Sequence, residues 1–393
     1  MSAQFDYLTG AVTVADEAPP AWNRPGVLEE FYGHPNDDQW GPRLSRILYH
    51  ESVHFWQLLS SFYMAEIVAT EWARVCHFEK TGEILPVSEH KIAHTQRRGD
   101  QPFSPFELVE CWARYWDVHT RSPERVIREE GLESTVAEVP RPFGYASPEY
   151  DLVMTKGDDC ENYAAPYRWM LERMRGNSRA VAYLFPVIAH RAFRTRDPVT
   201  VFLAAFDAAS LSPVVNHALQ NTGSNINTAW ISFVGYTEDN VLIPVFEAKQ
   251  FVEAGPGFLV IDRGSFDGHP VFTRYPEKGK EIVRRARQLL PTLRTPPADR
   301  YEAEFNWILV QGERDLSSVF KLPGQPTARG LLGLFCPPPH IRFSNLEVFA
   351  SKLKLEDAGL LDRECADVEQ RVARFRAAET AVRLGLPADA FQW

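Results

Sequence analysis

The chain has 393 residues, of which 45% are hydrophobic and 24% charged, and carries a formal net charge of −10. That is enough for one large domain, or two intermediate ones, with a sizeable core. The acidic balance argues against nucleic acid or an anionic membrane as the main partner. Five cysteines, an odd number with no Cys-x-x-Cys pair, speak against a disulfide framework and against thiolate zinc ligation. No apolar run reaches the length of a membrane span, and residues 1–20 lack the basic-then-apolar pattern of a secretory leader. The expectation is a soluble cytoplasmic protein.

Residues 1–42 are punctuated by Pro19, Pro20, Pro25, Pro35 and Pro42, which predicts an irregular arm with a short helix near Val27–Tyr32. From Leu44 to His77 apolar residues recur at three- and four-residue spacing without Pro or Gly. This predicts one long helix, or two with a bend, apolar on more than one face and therefore buried. A polar loop or short helix follows over 86–102. Ser104-Pro105-Phe106-Glu107 then combines an N-cap serine, a proline at the first helical position and a glutamate two residues on. This capping box predicts a helix to about His119. Residues 121–160 read as looser, with a short helix at 123–131. Helices are expected at Glu161–Met174, Ser178–Arg194 and Pro198–Ala209, and a loop over Leu211–Asn227.

The last third reads as mixed. Phe258–Ile261 has the look of a short strand. Helices are expected at Lys278–Leu293, Ala298–Gln311, Asn345–Leu355 and Asp362–Leu384, with a Gly- and Pro-rich stretch at Pro323–Pro339. The fold class is thus mainly α, with a helical core and a mixed α+β C-terminal part. In domain terms this gives an arm over 1–42, a helical metal-binding core over 43–210 and a mixed region over 211–393.

The chemistry sits in His50-Glu51-x-x-His54, inside the long apolar helix. Residues four apart share a helix face, so the two imidazoles can reach one ion. Glu51 lies about 100° further round the helix, where a carboxylate can act as general base toward a water on that ion. A catalytic zinc usually takes three protein ligands and keeps a fourth position open. No third histidine follows at short spacing; the next are His77, His90 and His94. The helix opened by Ser104 offers Glu107 and Glu110 instead. Glu107 already belongs to the capping box. Glu110 has no local role and sits among apolar residues, where a carboxylate needs a cation or a metal. Glu110 is therefore the favoured third ligand and Glu107 the alternative.

Here the pattern resembles the gluzincin metallopeptidases. In many of them the third ligand lies on a downstream helix in a run of the type Asn-Glu-Gly-Phe-Ala. Glu110 matches that ligand, Trp112 the aromatic and Ala113 the Ala, while Cys111 stands in place of the Gly. The resemblance spans the segment from His50 to Ala113. It implies a zincin-like helical metal-site core with a Zn2+ held by His50, His54 and Glu110, and Glu51 activating water against a peptide or amide bond.

The same two-His, one-carboxylate set also serves non-haem iron oxygenases. Fe2+, with a peptide or small-molecule substrate, is therefore the competing expectation. A helical binding protein with an accidental motif is the non-enzymatic one. Weaker candidates are Asp117 as a support for a ligand histidine, and Tyr163, Tyr167, Tyr183, His190, His217 and His340 as hydrogen-bond donors. Cys111 and the tryptophans Trp56, Trp72, Trp112 and Trp116 read as packing residues. An ion pair with Arg46 is the alternative use of Glu51.

Overall fold

The structure is a computed structural model. It describes residues 3–33, 38–120, 154–155, 161–221, 237–255, 257–266, 269, 340–349 and 358–390. The predicted helices at 123–131, Lys278–Leu293 and Ala298–Gln311, and the stretch 323–339, lie outside the described residues.

The molecule is mainly helical with a small mixed four-stranded sheet. The N-terminal arm is more ordered than its prolines suggest. Strands β1 (Ala3–Asp6) and β2 (Ala11–Val14) form an antiparallel hairpin. Its turn is built locally: Leu8 N–H donates to Asp6 Oδ1, Ala11 N–H to Thr9 Oγ1, and Gly10 takes a φ of 73° that favours glycine. After α1 (Val27–Gly33) come the two central helices, α2 (Pro42–Ser60) and α3 (Phe62–Thr81). They are the long apolar run, divided at Ser61. That residue is extended, and its side chain accepts from Met64 N–H as the N-cap of α3. The Ser61 hydroxyl also donates to the Phe193 carbonyl, so the bend is anchored to a distant segment.

Then follow α4 (Glu89–Thr95) and α5 (Pro105–Thr120). The capping box of α5 is formed in both directions. Glu107 N–H donates to Ser104 Oγ at 3.2 Å, and Ser104 N–H donates to Glu107 Oε2 at 2.7 Å. Beyond it lie α6 (Glu161–Arg173), α7 (Ser178–Ala192), α8 (Pro198–Leu211) and α9 (Pro213–Asn221). The chain continues through a wide helical turn at Glu238–Leu242, α10 (Ile243–Lys249) and α11 (Gly257–Val260), and closes with α12 (Ala358–Arg383).

Three expectations are corrected. Pro213–Asn221 is helical rather than loop, because Ser212 caps it through Val215 N–H and Pro213 sits at its first turn. Phe258–Ile261 is not a strand but the end of α11 and the start of a wide turn that stops at Gly264, whose φ is 77°. Four apolar residues carry no period that separates strand from helix, and packing against α2 and α3 decides for helix. Within the expected helix Asn345–Leu355, the described residues 345–349 lead into strand β4 (Glu347–Phe349), paired antiparallel with β3 (His340–Arg342). Pairing partners override local propensity here, and Arg342 meets Glu347 across the ladder at 3.0 Å.

β3 in turn pairs parallel with β2, setting Ala11 opposite His340. One sheet therefore joins the two ends of the chain, and β1 packs on α2. A single apolar cluster runs from Phe5 to Phe375 and includes the aromatic group Trp22, Phe31, Trp40 and Phe343. A buried ion network fixes α12 to α3. Glu71 Oε2 accepts from Arg74 and Lys91, and Arg74 reaches on to Glu379 at 2.7 Å. Among the described residues, no helix is long and apolar enough to cross a membrane.

Candidate metal centre

The site lies where α2 meets α5, with β1 on the side. On α2, Leu44, Leu48, Phe55 and Leu58 are buried in the core and fix the helix's rotation, so His50 and His54 both turn toward α5. On α5, Leu108, Val109, Cys111, Trp112 and Tyr115 are buried. Trp112 stacks on Phe193 at 5.3 Å, and the Tyr115 hydroxyl donates to the Ala182 carbonyl at 2.6 Å. α5 is thereby held from behind, and Glu110 faces the two imidazoles.

His50 Nε2 lies 3.4 Å from Glu110 Oε2, and His54 Nε2 lies 3.4 Å from Glu110 Oε1. One ligand atom from each of the three residues falls within a 4.8 Å span. His54 is buried, while His50 and Glu110 keep a partial opening to solvent. Glu107, the alternative carboxylate, is engaged elsewhere, pairing with Arg97 and capping α5.

The tautomer of His54 follows from its neighbour. Gln57 Nε2 donates to the Val109 carbonyl at 2.9 Å, which turns Gln57 Oε1 toward His54 Nδ1 at 2.8 Å. An amide oxygen only accepts, so Nδ1 carries the proton and Nε2 is the atom left for a ligand bond. Gln57 thus orients the His54 imidazole and ties it to the backbone of α5, one residue before Glu110. The sequence held its signal: a glutamine three residues after His54, on the same helical face.

The charges reinforce one another. Burial acts to lower the pKa of His54. The charge and hydrogen bond of Glu110, aided by Glu51 and Gln57, outweigh it and lift the pKa to about 9. Burial acts to raise the pKa of Glu110, but His54 and His50 hold the carboxyl well below the usual range. In the absence of a metal, a proton on His54 neutralises a carboxylate that would otherwise be buried without compensation.

Comparison with protein-family models, curated proteins and solved structures finds no match.

The donor set suits a metal. Two neutral imidazoles and one carboxylate are ordinary zinc or iron ligands. The two histidine–carboxylate distances of 3.4 Å end on different oxygens of Glu110, and one ligand atom from each residue lies within 4.8 Å of the others, close enough to converge on one ion.

Glu51 is placed by the hairpin. Its Oε2 accepts the Phe5 backbone N–H at 2.7 Å, which leaves Oε1 for another partner. The Arg46 side chain, the alternative partner, lies outside the described residues. Tyr7, at the hairpin turn, sets its ring edge-on to His54 with centroids 6.0 Å apart. Neither Phe5 nor Tyr7 was singled out by the sequence, since no local pattern ties a turn near the N-terminus to His54.

The weaker candidates stand apart from the triad. Tyr167 and Cys111 are fully buried core residues, and His217 is exposed. His190 is buried beside Trp112, and burial, with Arg194 and Arg191, holds its pKa well below normal. His340 sits in the sheet beside Glu369. Trp72 and Trp112 are buried packing residues, as expected. The side chains of Asp117, Tyr163, Tyr183, Trp56 and Trp116 lie outside the described set.

Proposed function

We propose that the protein is a metal-dependent hydrolase of the gluzincin type acting on a peptide or amide bond. On this reading His50, His54 and Glu110 hold Zn2+ and Glu51 serves as general base. The observation that carries the reading is the convergence of the three ligand atoms from two helices within 4.8 Å. Zinc bound there would polarise the substrate carbonyl and bring the pKa of its water to about 7.

The chain's own groups supply the rest. Glu51 accepts a proton from water through the oxygen that Phe5 leaves free. The water oxygen bonds to the carbonyl carbon, the C–N bond breaks, and Glu51 passes the proton to the departing amine. Gln57 keeps His54 in the ligating tautomer throughout.

The test is elemental analysis of protein made without added metal, joined to activity against a library of fluorogenic peptides and N-acyl amides. The expected result is about one zinc per chain, with Glu51→Gln keeping the zinc and losing turnover by about 10²-fold or more. Iron together with oxygen consumption would replace the hydrolase with an oxygenase of peptides or small molecules. No metal under any loading would leave a helical binding protein.

A further inference from the structure

The hairpin that holds Glu51 is itself held from the far end of the chain. β1 is an edge strand of the sheet and pairs with β2 alone. Its Phe5 N–H donates to Glu51 Oε2 at 2.7 Å. The Phe5 side chain is buried in the core. Asp6, next along the strand, turns its side chain to the other face, and there it meets α12. Arg376 Nη1 and Nη2 donate to the two Asp6 oxygens at 2.9 and 2.8 Å. Asp6 Oδ1 also accepts the Leu8 N–H, so one carboxylate joins α12 to the hairpin turn. α12 is a firm support for this contact. Before Arg376, Arg371 pairs with Glu79; after it, Glu379 pairs with Arg74; and Phe375 is buried beside it. His269 and β3 hold the hairpin too, at the Leu8 carbonyl and along β2. Arg376 differs in acting on the residue adjacent to the amide that Glu51 accepts.

We propose that Arg376 is a positioning residue for the hydrolysis: acting through Asp6, it holds the hairpin where the Phe5 amide fixes the Glu51 carboxylate. The proposal rests on the metal-hydrolase reading above, which makes Glu51 the base. An ion pair in open solvent contributes little. This one is forked, which fixes direction as well as distance, and its carboxylate side chain is only 20% exposed. Without the guanidinium, a mostly buried charge stands uncompensated beside Phe5. The hairpin then relaxes, and Glu51 loses the N–H that selects its orientation. A reacting group displaced by about 1 Å can cost as much as about 10²-fold in rate. α12 thus takes part in turnover while touching neither the metal ligands nor the base.

The test compares full-length Arg376→Gln, Arg376→Lys, Asp6→Asn and the double variant Asp6→Asn/Arg376→Gln. Arg374→Gln is the control, a charge lost from the same helix at a residue that faces Glu79 at 3.9 Å. Hydrogen exchange at the Phe5 amide is read without substrate. Zinc content is read beside it, with kcat and KM on the fluorogenic peptide or N-acyl amide that the wild type cleaves. In Arg376→Gln the Phe5 amide is expected to exchange about fivefold faster, while the amides of α2, the thermal midpoint and the zinc content stay at wild-type values. Its kcat is expected to fall by about fivefold at unchanged KM. Arg376→Lys should recover part of that rate, and Arg374→Gln should match the wild type. The double variant should lose no more than either single one, because the two side chains act as a unit. Unchanged exchange at Phe5, or faster exchange with unchanged kcat, overturns the proposal. Equal acceleration of all amides makes Arg376 a general support of the fold and overturns it as well. Additive losses in the double variant overturn the route through Asp6. Each of these failures leaves the zinc content and turnover of the wild type intact, and so the hydrolase reading. A wild type that takes up no metal removes that reading, and the role of Arg376 in turnover with it.

Discussion

Gln57 is the residue whose substitution separates a metal site from a merely polar helix contact. It is fully buried and makes two hydrogen bonds, accepting from His54 Nδ1 at 2.8 Å and donating to the Val109 carbonyl at 2.9 Å. Gln57→Leu keeps the volume and deletes both. Two lost bonds at about 1 kcal/mol each, with the His54 N–H left buried and unpaired, give a destabilisation of about 2–4 kcal/mol. The more telling effect is on metal. Without its acceptor, His54 is free to rotate or to adopt the other tautomer, and loss of such a supporting bond typically costs 10- to 100-fold in affinity. Gln57→Glu offers the contrast. Its carboxylate still accepts from His54 but turns an oxygen toward the Val109 carbonyl, so the protein is destabilised while metal affinity stays at or above the wild type's. The assay is competition with a chromophoric chelator, run beside urea unfolding of the metal-free proteins. If Gln57→Leu is destabilised yet binds zinc like the wild type, Gln57 only ties two helices together and the tautomer argument is wrong.

Three further substitutions probe separate parts of the site and the fold. Glu110→Ala is expected to bring metal content down to background. Glu107→Ala, which removes a capping-box carboxylate and its pair with Arg97, should cost about 1 kcal/mol and leave metal content intact; the reverse result would move the ligand role to Glu107. His269 tests the fold's response to acid. Its Nε2–H donates to the Leu8 carbonyl at 2.7 Å, and burial lowers its pKa from 6.5 to about 4. Between those values the unfolded chain binds a proton that the folded one does not. The contribution is therefore full above pH 6.5 and is lost as the pH falls toward 4. From pH 7 to 5 this single group removes roughly 2 kcal/mol. Urea midpoints at the two pH values, for the wild type and His269→Phe, check it: the variant should show a shallower loss, and an identical loss would refute the assignment.

What the sequence disclosed and what it withheld divide along a physical line. His50 and His54 were legible because a helix turns a spacing of four into proximity. The division of the long run into α2 and α3 was foreseen as a bend, although Ser61 as its cause was not. Glu110 was legible by a less direct route. The capping box at Ser104 assigned Glu107 to a local task, and its two hydrogen bonds are formed as that assignment requires. This left one buried carboxylate without an occupation on the next turn. Gln57 was equally local and could have been found by extending the same helical face by three residues.

The hairpin was not legible, because nothing within residues 3–14 specifies what it touches. Its position depends on β2 pairing with a strand from the far end of the chain, Ala11 beside His340. The prolines between residues 19 and 42 gave the whole arm an irregular look. What the hairpin brings to Glu51 is also a main-chain N–H, a group every residue but proline carries, so no choice of side chain at Phe5 could have announced it. The same holds for β4, whose residues resemble a helix until the ladder is supplied. Side chains that converge from two helices can thus be read from helical spacing and capping, while the wall that holds Glu51 beside them is encoded only in the topology. It follows that substitutions in β2 or β3 that weaken their pairing should disturb Glu51 and Tyr7 while leaving the His50, His54 and Glu110 ligand set in place. Metal binding and turnover should therefore be separable by changes made far from either ligand helix.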